Sequence, residues 1–249
     1  MTKIISLFNQ SGGVGKSTLT MNIGYQLAEE NKKVLLIDID PQGSLTTFMG
    51  LEPNEIDKTI YNAIITEDVL PIHHQIHSMD LSPANIDLSG AELELVMADL
   101  RDFRLKQALE PFQSQYDFIL IDCPPSLGLL SYISLVAATH VLVPIQAEYK
   151  ALRGTELLLQ TIQRVKKRAN TKLKIAGFIP TMYNGRTIHG EKSLKAIQQL
   201  EKLGEVFSPI PRTVVFADAS QKQIPLAKYD PKHPVVTLMK QISNSLINL

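Results

Sequence analysis

The sequence has a single cysteine, no net charge, and no apolar run that approaches the length of a membrane span. The single cysteine, Cys123, excludes a disulfide framework and any metal or iron–sulfur site that needs several cysteines. A spanning helix needs roughly 20 consecutive apolar residues, so none is expected. Residues 1–10 already contain the first apolar run, which argues against a signal peptide. We therefore expect a cytoplasmic protein.

The zero net charge conceals a strong division along the chain. Residues 1–149 hold 8 Lys/Arg against 19 Asp/Glu, and residues 150–249 hold 17 against 6. The basic half suggests an anion-binding surface with nucleic acid as its ligand. Solvated helix faces are the alternative explanation. The length of 249 residues and a composition of 44% hydrophobic residues fit one α/β domain over residues 1–249.

Short apolar runs alternate with helical patterns, such as residues 18–30, where Leu19, Ile23 and Leu27 repeat at helical spacing. This alternation predicts a doubly wound, mostly parallel sheet with helices on both faces. Ligands bind at the carboxyl ends of the strands in such sheets. The segment 51–80 is the least regular and is interpreted as an inserted surface segment. The strand-like runs are residues 4–8, 34–37, 118–121, 141–145 and 173–179.

Residues 11–18, SGGVGKST, follow the first apolar run and precede a helical pattern. A strand, glycine-rich loop and helix in this order point backbone N–H groups and a helix dipole at a polyphosphate. Lys16 is predicted to contact the outer phosphates, and Ser17 a Mg²⁺ ion. The sequence therefore predicts binding of a nucleoside triphosphate. The predicted binding residues are Ser11, Gly12, Gly13, Val14, Gly15, Lys16, Ser17 and Thr18.

Carboxylates follow two of the other predicted strands. Asp122 ends the run FILID, and Asp38 and Asp40 follow the run before Pro41. Mg²⁺ prefers such hard oxygen ligands beside a nucleotide phosphate. The alternative is that Asp38 and Asp40 only cap a turn.

Gln10 replaces the first glycine of the general GxxxxGK[ST] pattern. Together with the run GGVGK, this departure makes the chain resemble the ParA/MinD family of deviant Walker ATPases, which are P-loop NTPases. The resemblance implies an ATP-bound homodimer and slow, partner-stimulated ATP hydrolysis. Family members usually carry a lysine where Ser11 stands, and that lysine reaches the phosphates across the dimer. A serine has neither the length nor the charge for this contact.

The same resemblance assigns roles to the aspartates. Asp122 matches the Walker B residue that holds Mg²⁺ through a coordinated water. Asp38 and Asp40 resemble the switch I pair, in which one residue orients the attacking water and the other supports the metal; Asp40 is favoured for the water. Pro124 and Gly128 match the switch II segment.

Two further segments resemble those that hold the adenine ring in the family, and they nominate Thr181, Pro211 and Arg212. Ordinary strand-end and turn chemistry is the alternative there. Lys150 lies at the start of a helix that resembles the dimer-facing helix of the family. We hypothesise that its long side chain substitutes for the missing lysine, in cis or in trans. A surface lysine without a special role is the alternative.

Members of the ParA type bind nonspecific DNA as ATP-bound dimers, whereas members of the MinD type insert an amphipathic tail into membrane. Residues 235–249 place Leu238, Ile242, Leu246 and Leu249 on one stripe with a single cation, Lys240, which favours a helix packed on the sheet over a membrane tail. The predicted DNA-binding residues are Arg153, Arg186, Lys192, Lys195, Lys222 and Lys228.

A serine in place of the signature lysine resembles the McdA type of the family. This resemblance implies a nucleoid-associated protein that positions carboxysomes through an McdB-like adaptor. The alternatives are a plasmid or chromosome partition ATPase with a ParB-like partner, a membrane-associated MinD-like ATPase, and a metabolic P-loop enzyme. A disabled, binding-only protein is disfavoured because Lys16, Ser17 and the three aspartates are present.

Overall fold

The computed structural model describes residues 1–249, except for the side chains of residues 149–153. Its strands are β1 (Lys3–Leu7), β2 (Val34–Asp38), β3 (His73–Ile76), β4 (Met79–Ser82), β5 (Phe118–Asp122), β6 (His140–Gln146), β7 (Lys174–Thr181) and β8 (Glu205–Val206). They form one eight-stranded sheet in the order β3-β4-β2-β5-β1-β6-β7-β8. All pairings are parallel except that of β3 with β4, which confirms the predicted fold class.

Helices cover both faces of this sheet. Successive side chains of β1 point to opposite faces, so Ile4 joins one core cluster while Ile5 and Leu7 join the other. The first face carries α3 (Ile60–Ile64), α4 (Leu88–Met97), α5 (Arg104–Leu109), α6 (Leu129–Ala137), α7 (Tyr149–Arg168) and α8 (Ile188–Gln198). The second face carries α1 (Lys16–Glu29), α2 (Ser44–Phe48), α9 (Val215–Gln221), α10 (Leu226–Tyr229) and α11 (Pro234–Ile247).

The strand register brings the predicted site residues together at the carboxyl ends of neighbouring strands. Leu7 pairs with Asp122 across β1 and β5, and Asp122 pairs with Asp38 across β5 and β2. β1 and β5 are neighbours, but the chain runs from β1 through α1 to β2 on one side of the pair and from β5 through α6 to β6 on the other. This is a topological switch point, where α/β sheets bind their ligands. The glycine-rich loop leaves β1 at that point.

The interpretation of residues 51–80 as an inserted surface segment was wrong in part. This stretch contains α3 and β3, and the hairpin of β3 and β4 completes one edge of the sheet. Met79 and Leu81 are buried in the same core cluster as Leu36, while Asp80 between them points away from the cluster. The short alternation of these residues, and not a long apolar run, makes this segment a strand.

The C-terminal helix α11 packs against α1, as expected for a helix docked on the fold. Its buried stripe differs from the predicted one. Met239, Ile242 and Leu246 are buried, whereas Leu249 is 43% exposed. None of the helices that the structure describes combines the length and apolar character needed to traverse a bilayer.

Candidate functional site

The loop between β1 and α1 has the backbone of a phosphate-binding loop. Gly13 and Gly15 adopt φ angles of 72° and 92°, which side chains disfavour. Gly15 is the N-cap of α1, and among the described side chains none caps this helix end. The first N–H groups of α1 are therefore free to bind an anion, and the helix dipole favours a negative charge there.

Lys16 places its amino group across this loop. The residue is only 6% exposed, and its Nζ donates to the Ser11 carbonyl oxygen at 3.1 Å. Burial lowers the pKa of Lys16, and the neighbouring charge of Asp122 acts in the opposite direction. The Lys16 ammonium thus lies beside the helix N-terminus, where an incoming phosphate would stabilise its charged form.

Two amide side chains that precede the loop fasten it to neighbouring elements. Asn9 accepts from the Ser11 N–H at 2.8 Å and donates to the Pro144 carbonyl at 2.6 Å, in β6. Gln10 donates to the Gly154 carbonyl in α7 at 2.7 Å. A Cβ at Gly154 would lie 2.6 Å from this amide, so only glycine leaves room for it. The sequence did not reveal these links, although the departure from glycine at Gln10 was their signal.

Asp38 is fully buried at the end of β2 and accepts three hydrogen bonds. The donors are the Thr46 N–H and hydroxyl, both at 2.8 Å, and the Asp40 N–H at 3.1 Å. Burial raises the pKa of Asp38, and the hydrogen bonds from Thr46 act in the opposite direction. Asp38 therefore stabilises the turn between β2 and α2 through these three hydrogen bonds.

Asp40 differs from Asp38 in its surroundings. One of its carboxylate oxygens accepts from the Gln42 N–H at 3.0 Å, and within the described part of the chain the other oxygen has no hydrogen-bond partner. Burial raises the pKa of Asp40, whereas the Lys16 charge lowers it. The arrangement leaves one oxygen of Asp40 available to a water molecule.

The Thr46 hydroxyl connects Asp38 to the neighbouring chain, since it donates to Asp38 and accepts from the Ala84 N–H at 2.9 Å. We expect Thr46→Val to lower the free energy of unfolding by about 2–3 kcal/mol, because it removes one bond to a carboxylate and leaves a buried N–H unpaired. Denaturant unfolding measures this. Thr47→Val is the matched control, since among the described residues the Thr47 hydroxyl donates to the Gly43 carbonyl one turn earlier and to no carboxylate. Equal losses in both variants would contradict the assigned role.

Asp122 gives the strongest indication of a cation-binding site. It is fully buried, and neither carboxylate oxygen has a hydrogen-bond partner of normal geometry among the described residues. Burial and the adjacent negative charge of Asp38 raise the pKa of Asp122 well above its usual range, and the nearby Ser17 hydroxyl acts in the opposite direction. A buried carboxylate without well-formed hydrogen bonds is costly unless a cation or its bound water compensates for it.

These residues fit a magnesium ion that is shared with a nucleotide. No group of three or more His, Cys, Asp or Glu side chains that could hold a metal occurs in the described part of the chain. Mg²⁺ commonly takes only one or two protein oxygens and completes its shell with phosphate oxygens and water. The Ser17 hydroxyl in the first turn of α1 and the unpaired oxygens of Asp122 match that requirement.

The predicted switch II segment lies against the loop and against α4. A Cβ at Gly12 would lie 3.8 Å from the Pro125 side chain. Glu92 accepts from the Leu130 N–H at 3.2 Å and lies over Gly128, where a Cβ would meet its carboxylate. Glu92 thus links α4 to this segment, a contact that the sequence did not reveal. Cys123 is buried, and burial raises the pKa of its thiol to about 12, which makes it unreactive at neutral pH.

A cavity of about 690 Å³ adjoins the loop on the second face of the sheet. Its lining includes three residues of the loop and α1 and the three predicted adenine contacts. Those six residues are Val14, Gly15, Thr18, Thr181, Pro211 and Arg212. The volume and the mostly apolar walls are in the range of sites that bind small organic ligands. The structure therefore places the predicted base contacts next to the predicted phosphate loop.

The cavity also has features that sequence reasoning missed. The Thr181 hydroxyl donates to the Val14 carbonyl at 3.0 Å, so Thr181 holds the loop in place as well as lining the cavity. Phe48 and Phe216 supply aromatic walls from α2 and α9. No motif marks either phenylalanine, because each lies in a short helix whose position depends on the whole fold.

The predicted basic residues separate into two groups. Arg186, Lys192 and Lys195 are exposed on α8 or just before it. Lys222 and Lys228 lie over the rings of Tyr229 and Tyr25, at 5.1 and 5.4 Å. The side chains of Lys150 and Arg153 lie outside the described residues, so their predicted roles stay predictions.

Comparison with known proteins identifies the family. Residues 2–175 match the family described as AAA domain. The chain is 42% identical to sporulation initiation inhibitor protein Soj of Bacillus subtilis over 93% of each chain. It is 41% identical to chromosome partitioning protein ParA of Myxococcus xanthus, over 92% of this chain and 82% of that protein.

Solved structures agree with this assignment. A structure named cobyrinic acid a,c-diamide synthase from Mycobacterium smegmatis, with a bound ATP analogue and magnesium, superposes with a TM-score of 0.88 at 36% identity, over 99% of this chain and 94% of that one. Apo McdA from Cyanothece gives a TM-score of 0.88 at 26% identity, over 99% of this chain and 100% of that one. The chain belongs to the ParA/MinD family of P-loop ATPases.

Proposed function

We propose that this protein binds ATP with Mg²⁺ at the loop of residues 11–18 and hydrolyses ATP slowly, under stimulation by a partner. The buried carboxylate of Asp122, which accepts no well-formed hydrogen bond among the described residues, carries this proposal together with Lys16 and the uncapped helix α1 beside it. The ATP analogue and magnesium in the Mycobacterium smegmatis structure support it. We also propose a single domain, since α11 packs back onto α1.

In this proposal Ser17 and, through a water molecule, Asp122 would hold Mg²⁺, Asp38 would support its shell, and the ion would neutralise phosphate charge. Lys16 and the first N–H groups of α1 hold the phosphates. Asp40 orients the attacking water through its free oxygen. Asp38 is the weaker candidate for that role because its three hydrogen bonds hold it in place. Thr181, Pro211 and Arg212 border the space that would take the adenine ring.

We propose that ATP brings two copies together, as the family resemblance implies. Ser11 contributes its backbone to the loop and holds Lys16 through its carbonyl. A cation for the partner's phosphates must then come from elsewhere, and Lys150 remains our proposal. Turnover and dimerisation of Lys150→Ala test it, and unchanged values for both would reject it.

The ATP-bound dimer is proposed to bind nonspecific DNA through the exposed cations of the basic half, foremost Arg186, Lys192 and Lys195. Cations on two copies would act together on the phosphate backbone. Lys222 and Lys228 are weaker candidates because each already lies over a tyrosine ring.

We expect gel shifts to show a DNA complex only with ATP. Its association constant should fall roughly 10- to 100-fold between about 50 and 200 mM salt, for about two to four phosphate contacts. Lys192→Glu combined with Lys195→Glu should abolish the complex. Lys33→Glu combined with Lys58→Glu, two exposed lysines of the acidic half, should retain it. No complex at low salt with ATP would refute DNA binding.

The cargo is proposed to be chromosomal or plasmid DNA that carries a ParB-like partner. Identities of 41–42% to Soj and ParA, against 26% to McdA, favour this assignment over carboxysome positioning. Ser11 keeps carboxysome positioning with an McdB-like adaptor as the second candidate. Phosphate release measured with DNA and a ParB-like or an McdB-like protein separates the two, because only the cognate partner should accelerate it.

A further inference from the structure

Three chain reversals with left-handed backbone meet at one rim of the base cavity. His77 and Ser78, with φ of 52° and 64°, form the tip of the β3 and β4 hairpin. Gln223, with φ of 57°, follows α9. Gly50, with φ of 87°, follows α2, and a Cβ built on it would lie 3.7 Å from the Gln223 side chain. Only Gly50 is a glycine, so the other reversals carry backbone strain.

The strain at Gln223 comes from the way α9 ends. The Ile224 N–H donates to the Ala219 carbonyl at 3.2 Å, and the Gln223 N–H donates to the Ser220 carbonyl at 2.9 Å. This is the Schellman pattern, in which glycine is the preferred left-handed residue. Here the left-handed residue carries a side chain, and it lines the cavity together with Ser220 and Gln221.

The hairpin tip is strained in a similar way. His77 and Ser78 lie between Ile76 and Met79, which pair across the hairpin. A two-residue turn with both residues left-handed is usually filled by Asn-Gly. The tip extends from the edge of the sheet to α9, because His77 Nε2 lies 2.8 Å from the Gln223 carbonyl oxygen.

This contact fixes the protonation of the His77 ring. A carbonyl oxygen only accepts, so Nε2 carries the proton and donates. The Lys228 ammonium can only donate, and its Nζ lies 3.5 Å from Nδ1, so Nδ1 is the acceptor. The neutral imidazole therefore bridges a lysine and the backbone of the cavity rim.

We propose that His77 is a positioning residue for the nucleotide base, which fixes the Gln223 segment as one wall of the base cavity. This inference rests on the proposed function, since it assumes that the cavity takes the base. His77 acts through the Gln223 carbonyl, so its proposed role concerns the base and not the phosphates. Two strained turns persist because the bond between them gives the cavity a fixed rim.

His77→Asn tests this role, because asparagine tolerates the left-handed backbone but is too short to reach the Gln223 carbonyl. We expect the Kd for ADP with Mg²⁺, measured by calorimetry, and the KM for ATP to rise about fivefold, as for loss of one hydrogen bond. The Kd for inorganic tripolyphosphate and kcat should stay unchanged. His74→Asn is the control, since His74 lies in the same hairpin and binds Asp80 at 2.9 Å, away from the cavity.

An unchanged ADP Kd in His77→Asn would overturn the inference and leave the proposed function intact. Equal effects in the two variants, or an equal loss of tripolyphosphate affinity, would also overturn it. If the unsubstituted protein bound no ADP, the proposed function would fail as well.

Discussion

Replacing Lys16 with alanine is expected to weaken ATP binding about 100-fold or more, because hydrogen bonds to charged groups contribute about 1.5–3 kcal/mol each and Lys16 would make more than one to the phosphates. The buried ammonium beside the uncapped end of α1 is the chain's main source of positive charge in the loop. Calorimetry with ATP and Mg²⁺ measures the loss. Hydrolysis should become undetectable.

Lys58→Ala is the matched control for this experiment. Lys58 is a surface lysine of the acidic half whose Nζ lies 3.6 Å from Asp68. The Lys58→Ala protein should bind ATP normally. A Lys16→Ala protein that binds ATP as tightly as this control would mean that the loop does not hold the phosphates.

Asp40→Ala is expected to reduce hydrolysis while leaving ATP binding nearly unchanged. ATP binding should change by less than about threefold, while hydrolysis should fall about 10²–10⁴-fold, as for loss of a positioned acid or base. The free carboxylate oxygen of Asp40 is the reason, since it can hold the attacking water. Sedimentation with ATP should then show a persistent dimer.

Asp38→Ala serves as the comparison for Asp40→Ala. It removes a buried carboxylate that accepts three hydrogen bonds, so it should lower stability as well as activity. If Asp38→Ala folded normally with ATP trapped, and Asp40→Ala hydrolysed ATP at the normal rate, the roles of the two residues would be exchanged.

The central part of the site could be predicted because local patterns determine it. The apolar run of β1 and the glycines of the loop specify a strand, a turn and a helix without help from distant residues. Asp38 and Asp122 follow runs that are buried on both faces, and parallel pairing places them side by side. The residue types and their order along the chain were therefore sufficient.

The remainder depends on contacts between distant segments. β3 contains two histidines and a glutamine, and its hairpin turns without glycine, so neither strand nor turn chemistry marked it. Phe48 and Phe216 reach the base cavity only because α2 and α9 pack on the same face of the sheet. Glu92 accepts from the N–H of Leu130, in the first turn of α6, across 38 positions of sequence. Sequence periodicity contains no information about such contacts between distant segments.

The rate of phosphate release from ATP by the purified protein, with Mg²⁺ present or chelated, tests the central claim most directly. We predict slow release that requires Mg²⁺ and that both Lys16→Ala and Asp40→Ala abolish. Release that persists without Mg²⁺, or that survives the loss of Lys16, would contradict the assignment of the loop and Asp122 as the site of ATP hydrolysis.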